Sequence, residues 1–271
     1  MDVPLVSVLM TAFNREKYIA EAIESVLAST YKNFELIIVD DCSKDSTVAI
    51  ARHYESKDAR VKVYVNERNL GDYPNRNRAA SLASGKYIKY LDADDILYNY
   101  ALVVMLSYME ECPDAGFGLA SIVSNDKPFP ILLTPREIYL ENFNGYSHFD
   151  RAPGSSIIKL DAFREVGGFS GKRMIGDYEF WLKISCYFSM VKFPFDLYWN
   201  RIHPDQESKT EYSFLYPELR KRVLNDALSF SNCPLLPNEI TRIKHNIKVN
   251  EIKSWFFSKL NYLRKRVGGI A

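Results

Sequence analysis

Tyr87-Ile-Lys-Tyr-Leu-Asp-Ala-Asp-Asp-Ile-Leu-Tyr98 is the stretch that decides the fold. An apolar, aromatic run rises out of Gly85-Lys86 and stops at Asp92, Asp94 and Asp95, three carboxylates within four residues. Phe34-Glu-Leu-Ile-Ile-Val39 does the same upstream and ends on Asp40-Asp41, while Val6-Ser-Val-Leu-Met10 runs into Thr11-Ala-Phe-Asn14. Val61–Val65 alternates as a strand, and Gly118–Val123 reads as a fifth.

Between these runs the apolar period changes from strand to helix. Ile19, Ala22, Ile23, Val26 and Leu27 share one helical face. Ser43, Asp45 and Ser46 offer N-caps for a helix reaching about Lys57, and Asn75–Ser84 reads as a helix closed by Gly85. Leu102–Met109 is a further helix, ending before Pro113. Strand and helix alternate over most of the first 125 residues. That pattern predicts an α/β fold: an open, mostly parallel, mixed sheet flanked by helices. Ligands of such sheets bind beyond the carboxyl ends of the strands, so Asp40-Asp41 and Asp92, Asp94 and Asp95 are expected to share one crevice.

Carboxylates gathered in a crevice repel. A pair about 4 Å apart costs about 4 kcal/mol at an effective dielectric near 20. A divalent cation with oxygen ligands relieves this, and Mn²⁺ or Mg²⁺ fits better than zinc because no Cys/His cluster exists. A cation held by one or two carboxylates completes its shell with water and substrate phosphates. The sequence therefore points to a phosphate-bearing ligand, although GxxxxGK[ST] and GxGxxG are both absent.

Bulk composition narrows the classes. In 271 residues, Lys+Arg number 35 and Asp+Glu 34, a net charge of +1 that argues against general nucleic-acid binding. The four cysteines show no CxxC or Cys/His spacing and read as reduced thiols of a cytosolic protein. The first residues lack a basic, apolar leader, and no stretch approaches the roughly 20 apolar residues of a spanning helix. The expectation is a cytoplasmic protein, neither exported by that route nor integral to a membrane.

Val6-Ser-Val-Leu-Met-Thr-Ala-Phe-Asn14, Glu35-Leu-Ile-Ile-Val-Asp-Asp41 with Ser43, Asn69-Leu-Gly71, Arg76-Asn77 and Leu91-Asp-Ala-Asp-Asp95 occur in that order. Gly167-Gly-Phe169, Gly176-Asp-Tyr-Glu-Phe-Trp-Leu182 and Arg201-Ile-His203 follow. Together they resemble the inverting family 2 glycosyltransferases of GT-A fold over roughly residues 5–205. Each motif alone is weak; the ordered set is specific. The resemblance implies a nucleotide-diphosphate sugar donor, usually a UDP-sugar, with a divalent metal under its diphosphate. It also implies transfer, with inversion, to a saccharide or lipid-linked acceptor in cell-surface polysaccharide synthesis.

By position in those motifs, Thr11, Ala12 and Phe13 would line the base pocket with Asn14 beside them, Asp41 would accept from the base edge, and Arg76 would approach the nucleotide. Asp92 and Asp94 flank Ala93 as the DxD acids; Asp92 would hold the ribose or a metal water and Asp94 would ligate the metal. Asp177 matches the general base, and His203 a histidine that approaches the metal or diphosphate. Two departures stand out. The residue before Asp177, usually acidic, is Gly176, and Asp72-Tyr-Pro-Asn75 is an unusual link between the NxG and RN motifs.

The residues themselves leave plainer roles open. Asp177 is also a plausible N-cap, as are Asp94 or Asp95 for the helix that starts near Asn99, and Thr11 or Asn14 for the first helix. Asp40-Asp41-Cys-Ser43 is also turn chemistry, Phe13 a core residue, Arg76 half of a surface ion pair and His203 structural or exposed. If Asp177 and Glu179 open one helix they point about 200° apart, so only one faces a site. Val191, Phe193, Phe195, Leu197 and Trp199 alternate as a strand that would deliver His203. Competing functions are a sugar nucleotidyltransferase, which lacks its expected glycine-rich phosphate loop here, and a sugar-nucleotide-binding protein without turnover.

The expected organisation is a transferase domain over 1–210, split into a nucleotide-binding half (1–125) and an acceptor half (126–210), then a helical extension over 211–271. Residues 126–175, rich in Pro and Gly, read as loops with one short helix near Asp161–Val166, and Gly154-Ser-Ser156 as an acceptor contact or the start of a strand. Residues 239–271 carry eight Lys/Arg against Glu239 and Glu251, with Ile252, Trp255, Phe256, Leu260 and Leu263 at helical intervals. Such a helix suits an anionic membrane surface, its own domain, or a second copy of the chain as a homodimer.

Overall fold

The computed structural model describes residues 3–120, 128–145, 147–195, 197–203, 215–250 and 253. Its strands are β1 (Val6–Ala12), β2 (Phe34–Asp40), β3 (Val61–Val65), β4 (Tyr87–Asp92), β5 (Ile96–Leu97), β6 (Ala115–Ala120), β7 (Ile131–Leu133), β8 (Ser156–Lys159), β9 (Ser189–Phe193) and β10 (Tyr198–Trp199). The helices are α1 (Ile19–Leu27), α2 (Thr47–Glu55), α3 (Asp72–Ser81), α4 (Ala101–Glu111), α5 (Pro135–Phe143), α6 (Leu160–Glu165), α7 (Gly176–Ile184) and α8 (Tyr216–Ala227). A further helix, α9, occupies 237–250.

One eight-stranded sheet has the order β3-β2-β1-β4-β8-β6-β9-β7, and β10 pairs with β5 in a two-stranded sheet beside it. β3, β2, β1 and β4 are parallel, β8 runs against both β4 and β6, and β7 runs against β9. The sheet is thus mixed and mostly parallel, as expected. β1 is buried along its whole length, which is why it reads as an unbroken apolar run rather than an alternation. Helices on both faces bury two apolar clusters, one under α1, α2 and α4, the other under α3, α6, α7 and the C-terminal helices.

Register positions the site. Ala12 lies opposite Asp40, and Thr11 opposite Asp92, so β1, β2 and β4 end flush. The Asp41 amide donates to the Ala12 carbonyl at 2.8 Å and carries that edge one residue further.

Several expectations need correction. The fifth strand begins at Ala115, three residues early, and 121–123 lie outside the described residues. α3 starts at Asp72 because Gly71, with φ 88°, takes the N-cap and Pro74 falls in the first turn, where its missing N–H has no partner to lose. Gly85 does not close that helix. A Cβ there would stand 2.7 Å from the Leu5 carbonyl oxygen, so glycine lets the chain cross β1 closely. The alternating run 191–199 is two strands in two sheets, with Phe195 exposed between them. Residues 126–175 hold β7, β8 and α5 as well as the short helix. Gly154-Ser155 form a 3₁₀ turn leading into β8.

Candidate active site

The first turn of α3 is the hub. On one side, the Leu70 and Gly71 amides donate to Asp41 at 2.8 and 2.9 Å, and Asn66 Nδ2 donates to the same carboxylate at 2.6 Å. On the other, Arg76 Nε donates to Asp72 at 2.8 Å and its Nη2 to Asp92 at 2.7 Å. The Tyr73 ring packs on Gly176, the residue before Asp177. Asp92 of β4 thus meets Arg76 on α3, the start of α7 meets Tyr73 on the same helix, and Asp41 is held by the loop that leads into it.

Arg76 is buried between Asp72 and Asp92, not paired at the surface, and its charge is strengthened by both acids despite desolvation. Its Nη1 is buried and makes no hydrogen bond, so one donor of the guanidinium stays available inside the cleft.

Asp92, Asp94 and Asp95 each offer a carboxylate oxygen within 4.8 Å of the others. Asp94 Oδ2 accepts from Arg15 Nε at 2.8 Å and lies 3.0 Å from His203 Nε2. Asp95 is buried and accepts from the Arg201 amide at 3.0 Å. It does not cap α4, whose N-cap is Tyr100 with no side-chain bond. Burial, then mutual repulsion, raises the carboxyls of Asp92 and Asp95, the latter to about 7, although Arg76 pulls Asp92 down. Arg15 pairs with Asp94 and Arg76 with Asp92, while among the described residues Asp95 has no ion pair. Oxygen donors with one imidazole, in a place short of positive charge, fit a hard divalent cation.

His203 is buried, its ring 4.8 Å from that of Tyr18. It follows β10, whose Trp199 pairs with Ile96, so the short sheet returns the chain to the acids of the β4–β5 turn.

Asp177 lies in the first turn of α7 but is not its N-cap, which is Ile175. Its Oδ1 accepts from the Tyr178 amide at 2.7 Å. Burial lifts the carboxyl to about 6, against the pull of that amide, the Tyr73 hydroxyl and Arg76. Glu179 points elsewhere, pairing with Lys172 at 2.5 Å. A cleft of 260 Å³ on that flank of α7, lined by Gly168, Glu179, Phe180, Lys183 and Tyr187, contains none of the converging acids.

The remaining predicted residues fall around the β1 end. Thr11 Oγ1 is 3.4 Å from Asp92, Ala12 and Ala93 are buried, and Phe13 is 42% exposed, so it is not core. Asn14 does not cap α1; its amide donates to Ser43 Oγ and its side chain accepts from the Lys44 amide, which ties two loops together. The structure brings together Thr11, Arg76, Asp92, Asp94, Asp177 and His203. It sets Asp41 toward the 66–71 loop, with both carboxylate oxygens already accepting from the protein.

Arg15, Arg201 and Lys89 lacked roles on sequence grounds. Lys89 is fully buried in β4 and donates to the carbonyls of Tyr90 and Gly154. Its sequence signal was a lone cation inside an apolar strand. Arg15 had no signal; only the turn after β1 carries it to Asp94.

A mostly parallel sheet whose strands run out onto acids defines an α/β fold with its candidate ligand crevice at the strands' carboxyl ends. The sequence profile of glycosyl transferase family 2 matches residues 7–167, and the chain belongs to that family. Its fold is GT-A-like. An uncharacterized glycosyltransferase of Methanocaldococcus jannaschii, MJ1057, is 35% identical over 190 residues, 68% of this chain and 65% of that protein. The UDP-Glc:alpha-D-GlcNAc-diphosphoundecaprenol beta-1,3-glucosyltransferase WfgD of Escherichia coli is 36% identical over 139 residues, 51% of this chain and 54% of that one. The chain thus spans just over half to two thirds of these relatives. S. aureus TarS 1-349 in complex with UDP-GlcNAc shares the fold at TM-score 0.69 and 21% identity, covering 88% of this chain and 70% of that one.

Proposed function

We propose that the chain moves a sugar from a UDP-sugar donor, with inversion, to a hydroxyl of a saccharide or lipid-linked acceptor in cell-surface polysaccharide synthesis. One observation carries this reading: α3 holds Arg76 between the Asp92–Asp94–Asp95 cluster and Asp177. Charge stabilisation stands on one side of the cleft and a half-buried carboxylate on the other. WfgD and TarS, by their names, use or bind UDP-sugars, which supports the donor class.

Asp94 and His203, with Asp92 and Asp95, would hold Mn²⁺ or Mg²⁺, which when bound supplies Lewis-acid stabilisation to the departing diphosphate. Arg76 adds a second fixed positive charge where the diphosphate leaves, and needs no reorganisation because Asp72 and Asp92 already lock it. Thr11, Ala12, Phe13 and Asn14 form the ledge for the nucleoside, with Asp41 holding the adjoining loop. Asp177 takes the proton of the attacking hydroxyl; a pKa raised to about 6 makes it a better base than an ordinary aspartate while leaving it ionised at neutral pH. Single displacement needs one base and no nucleophile.

The acceptor half would lie over 126–210. Peripheral membrane contact through 239–271 suits a lipid-linked acceptor, as in WfgD's name, and residues 251, 252 and 254–271 lie outside the described residues. Among the described residues no helix is long and apolar enough to cross a membrane.

The test is thermal denaturation with UDP-glucose, UDP-N-acetylglucosamine and GDP-mannose, each with Mn²⁺ or with EDTA, followed by nucleotide release. A UDP-sugar that stabilises the protein only with metal, and whose turnover Asp177→Asn abolishes, supports the proposal. Full turnover in excess chelator, or preference for GDP-mannose, overturns the metal or the donor assignment.

A further inference from the structure

α3 and α7 meet where Tyr73 faces Gly176. A Cβ placed on Gly176 would stand 2.7 Å from both Cδ2 and Cε2 of the Tyr73 ring and 3.0 Å from its Cγ. Aromatic carbons do not approach a methyl carbon so closely, so a side chain at 176 and a ring at 73 exclude each other. The ring is held in place: it is 7% exposed and packs 5.2 Å from Phe169. Its hydroxyl stands in the electrostatic neighbourhood of Asp177: burial and the negative charges of Asp177 and Asp72 keep the phenol protonated and able to donate, and the phenol in turn favours the carboxylate.

The two departures from the family pattern, glycine before Asp177 and the Asp72-Tyr-Pro-Asn75 link, are therefore two halves of one contact. We propose that Tyr73 is the positioning residue for Asp177: its ring fills the room a side chain at 176 would need, and its hydroxyl donates to the carboxylate, in place of the acid that the resemblance leads one to expect at 176. The exchange alters the chemistry. An adjacent acid would repel the Asp177 charge, whereas a phenol stabilises it and fixes which oxygen faces the acceptor. This inference rests on Asp177 being the base.

The groups facing Asp177 among the described residues are Tyr73, Asp72 and Arg76 from α3, the Tyr178 amide on its own helix, and Tyr216 from α8, whose phenol Asp177 helps to raise. Tyr73 and Arg76 favour the carboxylate and Asp72 opposes it.

Tyr73→Phe keeps the ring and removes the donor. Carboxyl-carbon NMR of the donor-free protein should show Asp177 titrating about one pH unit higher in this variant. In UDP-N-acetylglucosamine turnover with Mn²⁺, kcat should fall about tenfold, the acidic limb should move up likewise, and KM for the donor should stay within about twofold. Gly176→Glu alone should lose thermal stability, and Tyr73→Ala with Gly176→Glu should regain it. An unmoved Asp177 titration in Tyr73→Phe, or a Gly176→Glu protein as stable as wild type, overturns the proposal. Wild-type turnover in Asp177→Asn defeats the base assignment instead, whatever Tyr73→Phe does.

Discussion

Asp177 is placed against its own stability. An aspartate whose folded pKa exceeds its unfolded value has an ionised form that folding disfavours. The penalty is fully present above about pH 6 and fades as pH falls toward 4. Asp177→Asn should therefore raise the unfolding free energy at pH 7–8 by roughly 1–2 kcal/mol, allowing for partial exposure, while turnover collapses; a destabilised variant would contradict this. For the wild-type enzyme, kcat/KM should fall as pH drops through about 6, where Asp177 gains its proton. A flat profile from pH 5 to 8 would contradict the assignment. Asp92 and Asp94 stand out in the chain because acids at strand ends are conspicuous, whereas Asp177 is singled out by the resemblance, its position alone fitting an N-cap equally well. Arg15 does not stand out, since nothing local tells an arginine in a turn from any exposed arginine.

At the scale of elements, α3 does more than its length suggests. Gly71 begins it and its amide donates to Asp41, Pro74 fits its first turn, Arg76 pairs with Asp92 of β4, and Tyr73 packs on Gly176 at the start of α7. α5 shows the opposite case, an element legible locally but missed among its prolines. Thr134-Pro-Arg-Glu137 is a capping box: Thr134 accepts from the Glu137 amide, and Glu137 accepts from the Thr134 amide at 2.8 Å. Thr134→Ala should cost about 1 kcal/mol, or about 2–4 °C in melting temperature, without changing donor affinity. Calorimetry beside donor titration checks this, and an unchanged melt would mean the cap contributes nothing. The split of 191–199 into two strands was illegible because period-2 alternation continues through the exposed Phe195.

Across the whole molecule, the C-terminal helices share the main core. Val223, Ala227, Leu228, Leu235 and Ile243 are buried in the same cluster as Phe180 and Trp181. Ile243→Ala should therefore destabilise the entire transferase fold by about 2–4 kcal/mol in one cooperative transition. A separate low-temperature transition, leaving the main melt unmoved, would show that α9 unfolds alone. The acid cluster offers a second global readout. Mn²⁺ at about a hundred times its Kd should stabilise the fold by about 2.7 kcal/mol, and Asp94→Asn should reduce that shift; an equal shift in both would place the ion elsewhere.

Sequence by itself determined the sheet, the strand ends and the acids that stand on them. Burial writes apolar runs into a chain, and charges that interrupt those runs are visible without coordinates. Only the tertiary structure decided which side chains face one another. Tyr73 against Gly176, Arg15 on Asp94 and the loop amides on Asp41 join residues 29 to 103 positions apart, through contacts that leave no periodic trace in the chain.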